Sequence, residues 1–244
     1  MGIQDTHSAI YLVGFGIVFV AAFFAGDVAG FIIESRTTRR WKNAAEKMGF
    51  EFDERKTRYP SLSEFFLPRL SRFHLEESAF CYGEALKTLK STVQGFNIAI
   101  IDFAVWNLHM RVPLIFRGVV CLVTTEEINL PGQIGLLKYS SIFLEGFRWN
   151  RAFRPYGFPH DKEFSRSFAL FGRPGSPPWI LGPELRRFCV DRRRDIDVLI
   201  VNEKEVILLW PDQNPERFPS LMTTAIGIMH NLCESVPDSD CKVS

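Results

Sequence analysis

This 244-residue chain lacks an excess of either charge. It has 29 Lys plus Arg and 28 Asp plus Glu, a net +1. A nucleic-acid coat needs a basic surplus, so no nucleic acid is expected as a partner. No cysteine lies in a CxxC pair among the five present, which removes the zinc-ribbon spacing, and the odd count argues against a disulfide framework. No N-x-[ST] acceptor occurs. GxGxxG, GxxxxGK[ST] and G-x-S-x-G are all missing, so no motif calls for a nucleotide, another cofactor or a nucleophile elbow. Gly14 and Gly16 make a GxG, but no strand precedes them. Low-complexity tracts and internal repeats are absent as well. With 46% hydrophobic and 14% aromatic residues, the chain has enough apolar material to bury a sizeable core.

The N-terminus holds the longest apolar run. Ala9 to Gly26 carries no charge, and Asp27 is followed by a second apolar stretch, Val28 to Ile33. Such a helix is roughly 27 Å long against a hydrocarbon core of about 30 Å, so the run predicts a spanning helix. A cleavable signal needs a basic start, and residues 1–8 hold Asp5 and no Lys or Arg. Arg36, Arg39, Arg40, Lys42 and Lys47 follow the run. The positive-inside rule therefore predicts a single-pass protein of the plasma (inner) membrane, N-terminus out, with a cytoplasmic C-terminal domain. Trp41 among these cations would rest at headgroup level. Asp27 falls at the inner end of the run, where a carboxylate is tolerated. Gly26 and Gly30, four apart, permit self-association through one helix face. The expected partners are the lipid bilayer and a protein partner or second copy.

The expected organisation is a transmembrane anchor over 1–34, a juxtamembrane helix over 35–52, a soluble domain over 53–236 and a disordered tail over 237–244. Thr37 to Lys47 reads as a helix stopped by Gly49. Residues 53–72, with Pro60 and Pro68, read as a loop or short helical pieces. Strands are expected over Ser78–Leu89, Phe96–Val105, Leu114–Thr124, Ile134–Ser140 and Phe164–Gly172. Residues 145–163 read as a loop rich in Gly, Pro, Arg and aromatics. Asp195–Val201 and Glu205–Trp210 form a hairpin pattern; Leu181–Val190 and Ser220–Cys233 form helix patterns. Hairpin-sized strand pairs without strand–helix–strand alternation predict an α+β class: an N-terminal transmembrane helix followed by a mainly antiparallel sheet covered by helices.

Reactive constellations are few. His230 and Cys233, three apart, supply two metal ligands and lack the other two, so no metal site is expected. His160-Asp161 lies in the loop, where sites gather, but sequence neighbours do not form a dyad by adjacency. Alternation puts Asp102 on one strand face with Ile98 and Ile100, and Ala99, Ile101 and Phe103 on the other. Near the strand's expected end, Asp102 would escape to water or cap a turn. Arg192, Arg193 and Arg194, between a helix and a hairpin, could hold phosphate, lipid headgroups or an acidic partner, as could Arg36, Arg39, Arg40 and Lys42.

The segments Ala45–Phe52, Gly95–Val105, Glu163–Gly172, and the hairpin Asp197–Trp210 with its following helix give a layout that resembles bacterial single-pass membrane-anchored proteins with a cytosolic α+β domain of unknown function. That resemblance implies a bacterial plasma membrane and no activity, cofactor or catalytic residue. The expected function is a non-enzymatic, membrane-anchored module that binds protein or lipid. The rival expectation is a membrane-associated hydrolase or transferase with its site in loop 145–163.

Overall fold

Among the described residues, runs rich in Ile, Val, Leu and Phe become nine strands of one sheet, because β-branched and aromatic side chains fit a pleated, half-buried surface. The computed structural model describes residues 32–55, 81–107, 114–125, 133–141, 143–144, 153–176, 180–202 and 204–235. The chain divides into two compact units, Met1–Asn43 and Ala44–Ser244. In the first, residues 32–43 are helical, with Trp41 fully buried and not placed as a headgroup-level ring would be.

The second unit opens on helical residues 44–48. Gly49 ends the helix at φ +67°; its N–H bonds to Glu46 O at 3.3 Å, and the N–H of Phe50 bonds to Ala45 O at 2.9 Å. This closes the last carbonyls in the Schellman pattern, which needs a residue tolerant of the left-handed region.

The strands are β1 (Glu51–Asp53), β2 (Cys81–Val93), β3 (Phe96–Asn107), β4 (Leu114–Thr124), β5 (Ile134–Lys138), β6 (Arg154–Tyr156), β7 (Phe168–Gly172), β8 (Val198–Asn202) and β9 (Glu205–Trp210). Their spatial order is β1-β2-β3-β4-β9-β8-β5-β7-β6, and every neighbouring pair is antiparallel. The two edge strands are three residues long, which leaves little unpaired edge of their own to template aggregation. The helices beyond residue 55, among the described residues, are α1 (Lys162–Ser167), α2 (Pro183–Asp191) and α3 (Phe218–Ser235).

Period-2 alternation sorts the strand residues onto two faces. One face carries Ile101, Phe103, Val120, Leu137, Val198, Ile200, Ile207 and Leu209, joined by Phe143, Leu144 and Phe153 in a single buried cluster. The opposite face takes the helices. There the His230 ring of α3 stands edge-on to Phe96 at 5.0 Å, and the Phe164 ring of α1 lies 5.7 Å from Phe168. A β-bulge between Ala85 and Lys87 breaks the alternation of β2: Ala85 pairs with Phe103, while Lys87 pairs with Asp102. The extra residue turns Lys87 to the helical face.

Helices α2 and α3 approach closely at Gly227, where a Cβ would meet Phe188 Cζ at 2.5 Å. Gly227→Ala gains about 1 kcal/mol of helix propensity. It must also displace the Phe188 ring, and overpacking costs about 1–3 kcal/mol. Net loss is expected, read as a lower urea midpoint. Phe188→Leu in the same chain should reverse the sign, and a midpoint unchanged by Gly227→Ala would show that the ring moves freely.

The expected single-pass architecture is corrected here. No helix among the described residues is long and apolar enough to cross a membrane. The run Ala9–Gly26, with Asp27 and the Gly26/Gly30 face, lies outside the described residues, as do 56–80 and the tail 236–244. With that finding the single-pass plasma-membrane topology expected above is withdrawn. What stands is a large antiparallel sheet with helices.

One strand expectation and one loop expectation also change. Phe164–Gly172 divides into α1 and β7, because Asp161 caps a helical turn first: its Oδ1 accepts from Phe164 N at 3.1 Å. The loop 145–163 contributes the edge strand β6 and the first residues of α1.

Candidate functional site

The outer end of the sheet, where β5, β7 and β6 meet α1, forms a cleft of about 330 Å³. Its construction begins at Gly172. A Cβ there would stand 2.7 Å from Tyr156 Cε2, so glycine is what lets the Tyr156 ring lie across the strand. Pro155 suits an edge strand, since it has no N–H to donate. Beyond Tyr156 the chain leaves the sheet and returns as α1. Phe164, buried, sits 5.6 Å from the Phe158 ring in an edge-on arrangement. Tyr139, Tyr156, Phe158, Phe164, Phe168 and Leu170 line the space, and none of the described lining residues is charged.

Polar groups at the cleft are already engaged. Tyr139 O–H donates to Ser165 O at 3.0 Å, Tyr156 O–H to Arg173 O at 3.4 Å, and Ser165 Oγ to Phe158 O at 2.9 Å. Each donor is spent on a backbone carbonyl, so the cleft can bind apolar matter without stranding a donor.

Arg186 of α2 braces the cleft from behind. Its guanidinium lies 4.2 Å from the Phe158 ring centroid, its Nε donates to Asp161 Oδ2 at 2.8 Å, and its Nη1 donates to Leu181 O at 2.7 Å. Hydrogen bonding from Arg186 holds the Asp161 carboxyl below the usual range, with the backbone N–H of Phe164 adding to it. Asp161 is therefore a helix cap and an ion-pair partner, held ionised and poorly suited to take up a proton. His160 is exposed beside it, and no dyad forms. That removes the acid–base pair on which the rival enzyme expectation leaned; residues 145–152 of its loop lie outside the described residues.

The expected cationic residues fall in both units. Arg36, Arg39, Arg40 and Lys42 are exposed on the helical residues 32–43. In the second unit, Arg193 lies 3.7 Å from Glu163 and Arg192 lies 4.0 Å from Asp195, while Arg194 is exposed. Arg192 and Arg193 thus face carboxylates. Of the two metal-ligand candidates, His230 Nε2 is 3.0 Å from Gln94 Oε1, and Cys233 is half-buried on α3. Burial pushes the Cys121 and Cys189 thiols up to about 12, far from the thiolate form a nucleophile needs.

Asp102 departs most from expectation. Strand β3 runs on to Asn107, so Asp102 is mid-strand and 1% exposed. Arg117 grips it with two hydrogen bonds, Nε to Oδ1 at 2.9 Å and Nη2 to Oδ2 at 2.6 Å. Lys87 Nζ, equally buried, donates to Oδ2 at 3.4 Å. A charge in such a place must be paired. The sequence reading missed Lys87 because the bulge that turns it has no signature in residue types.

Asp197 offers a pH test. Burial raises its pKa above the ordinary carboxylate value, opposed in part by the hydrogen bond from Ser141 Oγ at 3.0 Å and by Lys138. The folded state then binds this proton more tightly than the unfolded state. Its stabilising contribution is full below the unfolded pKa and is lost as pH rises through the folded one. Asp197→Asn should raise the melting temperature at neutral pH and leave it unchanged in strong acid. Equal shifts at both pH values would assign the effect to packing.

No family model and no curated protein matches the chain. Among solved structures it is similar to the crystal structure of the mycobacterial trehalose monomycolate transport factor A, TtfA. The TM-score is 0.54 at 11% identity, over 82% of this chain and 96% of that one. The two share a fold.

Proposed function

We propose that this chain is a non-enzymatic lipid-binding module, with the aromatic cleft beside β6 and β7 as its apolar site. The observation that carries this is the chemistry of the cleft: rings and aliphatic side chains, no charge among its described residues, and every hydroxyl spent on a backbone carbonyl. The fold shared with a transport factor for a lipid, trehalose monomycolate, supports the same reading. Arg36, Arg39, Arg40 and Lys42, exposed on one helical stretch, supply contacts for anionic headgroups at about 1 kcal/mol each.

The test uses the full chain purified in detergent and exchanged into buffer. Native mass spectrometry should find lipid retained, and the stripped protein should take up lipid from phosphatidylcholine vesicles doped with phosphatidylglycerol. Flotation with such vesicles should fall at high salt and in the Arg36→Ala, Arg39→Ala, Arg40→Ala variant. Protein that neither retains nor takes up lipid overturns the proposal.

A further inference from the structure

We infer that the cleft takes one acyl chain, and that the amphiphile carrying it has an anionic head met by Arg154. This rests on the lipid-binding reading above and adds the class of ligand. A volume of about 330 Å³ stands at the low end of sites that enclose small ligands, which suits a single chain and leaves any second tail of a diacyl lipid outside it. The lining contributes no charge, so the ligand's charge must lie outside it. Arg154 is placed for that role. It pairs with Gly172 in the register that pairs Tyr156 with Leu170, so it stands two residues from Tyr156 on the same sheet face. It is exposed and has no carboxylate partner among the described residues. Lys138, opposite Phe168 on that face, is also cationic, but it has Asp197 in its field. Glu163, the acid nearest the cleft in sequence, is drawn to Arg193. Arg154 thus offers a carboxylate or phosphate head a cationic partner on the sheet face that carries Tyr156 and Leu170. Gly157 provides a way to close the cleft: a Cβ there meets nothing within 4 Å, and its backbone is outside the left-handed region.

The experiment is calorimetric titration of the stripped full chain with saturated carboxylates from octanoate upward, and with dodecanol and dodecyl phosphate, below their micelle concentrations. Affinity should tighten about fourfold per added methylene until the cleft is filled, and then level off. Dodecanoate and dodecyl phosphate should both bind at least tenfold tighter than dodecanol. Arg154→Gln should abolish that difference without changing dodecanol binding. Gly157→Trp should weaken every ligand at least tenfold at an unchanged urea midpoint. Equal binding of dodecanol and the two anions overturns the headgroup assignment. Unaltered binding by both Gly157→Trp and Tyr156→Ala, in protein that still takes up vesicle lipid, overturns the cleft while leaving lipid binding intact. If the unaltered chain takes up no lipid from vesicles either, the lipid-binding reading itself falls.

Discussion

Asp102→Ala is expected to destabilise the fold by about 3–5 kcal/mol, a loss large enough to unfold much of a marginally stable domain. The substitution removes the carboxylate that Lys87 and Arg117 both contact inside the sheet, where Lys87 is buried. Removing one member of a buried ionic cluster strands the rest, and the desolvation already incurred is no longer offset. Replacing all three by apolar residues of similar volume, Lys87→Met, Asp102→Leu and Arg117→Met, should recover most of the loss, since a well-packed apolar patch competes with a buried ion pair. Urea denaturation of the single and triple variants provides the check. A loss below about 1 kcal/mol for Asp102→Ala would mean the carboxylate contributes no more than a surface pair does.

Phe164→Ala comes next in size. Helix α1 is six residues long, too short to persist on propensity alone. It is held by the Asp161 cap and by the Phe164 ring, 1% exposed between Phe158 and Phe168. Truncating a buried Phe costs about 3–5 kcal/mol when the site cannot collapse. The expected result is a loss in that range, with amide exchange accelerated first in α1. Fluorescence-detected urea unfolding and hydrogen exchange measure it. If α1 kept its protection, the cap and Arg186 alone would be holding the helix.

Much of the sheet was legible in the residues. Leu114–Thr124 is a strand over the expected range, and Phe96, Ile134 and Glu205 begin strands where alternation and β-branching place them. The hairpin turn at Gln94–Gly95, at φ 53° and 81°, lies past the strand end expected at Leu89, because β2 runs on to Val93. Helices α2 and α3 follow apolar residues at helical spacing, with Pro183 in the first turn of α2. Less legible was the region around 160–172. Alternation continues through Phe164, Arg166 and Phe168, and nothing local says that the first part coils and only the second extends. The deciding contact is Arg186, 25 residues away, which binds the capping carboxylate.

The cleft illustrates the same division. Its aromatics were visible as composition, but Tyr139, Tyr156, Phe158 and Phe164 come from separate elements and meet only because β5 and β6 both pair with β7. Residue types alone point instead to charge clusters, since charge runs are contiguous and aromatic walls are assembled.

The residue order by itself placed most of the strands, because hydrophobic period and turn chemistry act over a few residues and need no distant partner. Strand order, the turning of Lys87 toward Asp102, the capping role of Asp161 and the gathering of rings into one cleft were decided by tertiary contact. Each depends on groups far apart in the chain, and it is the burial of the sheet that makes leaving them unpaired too costly.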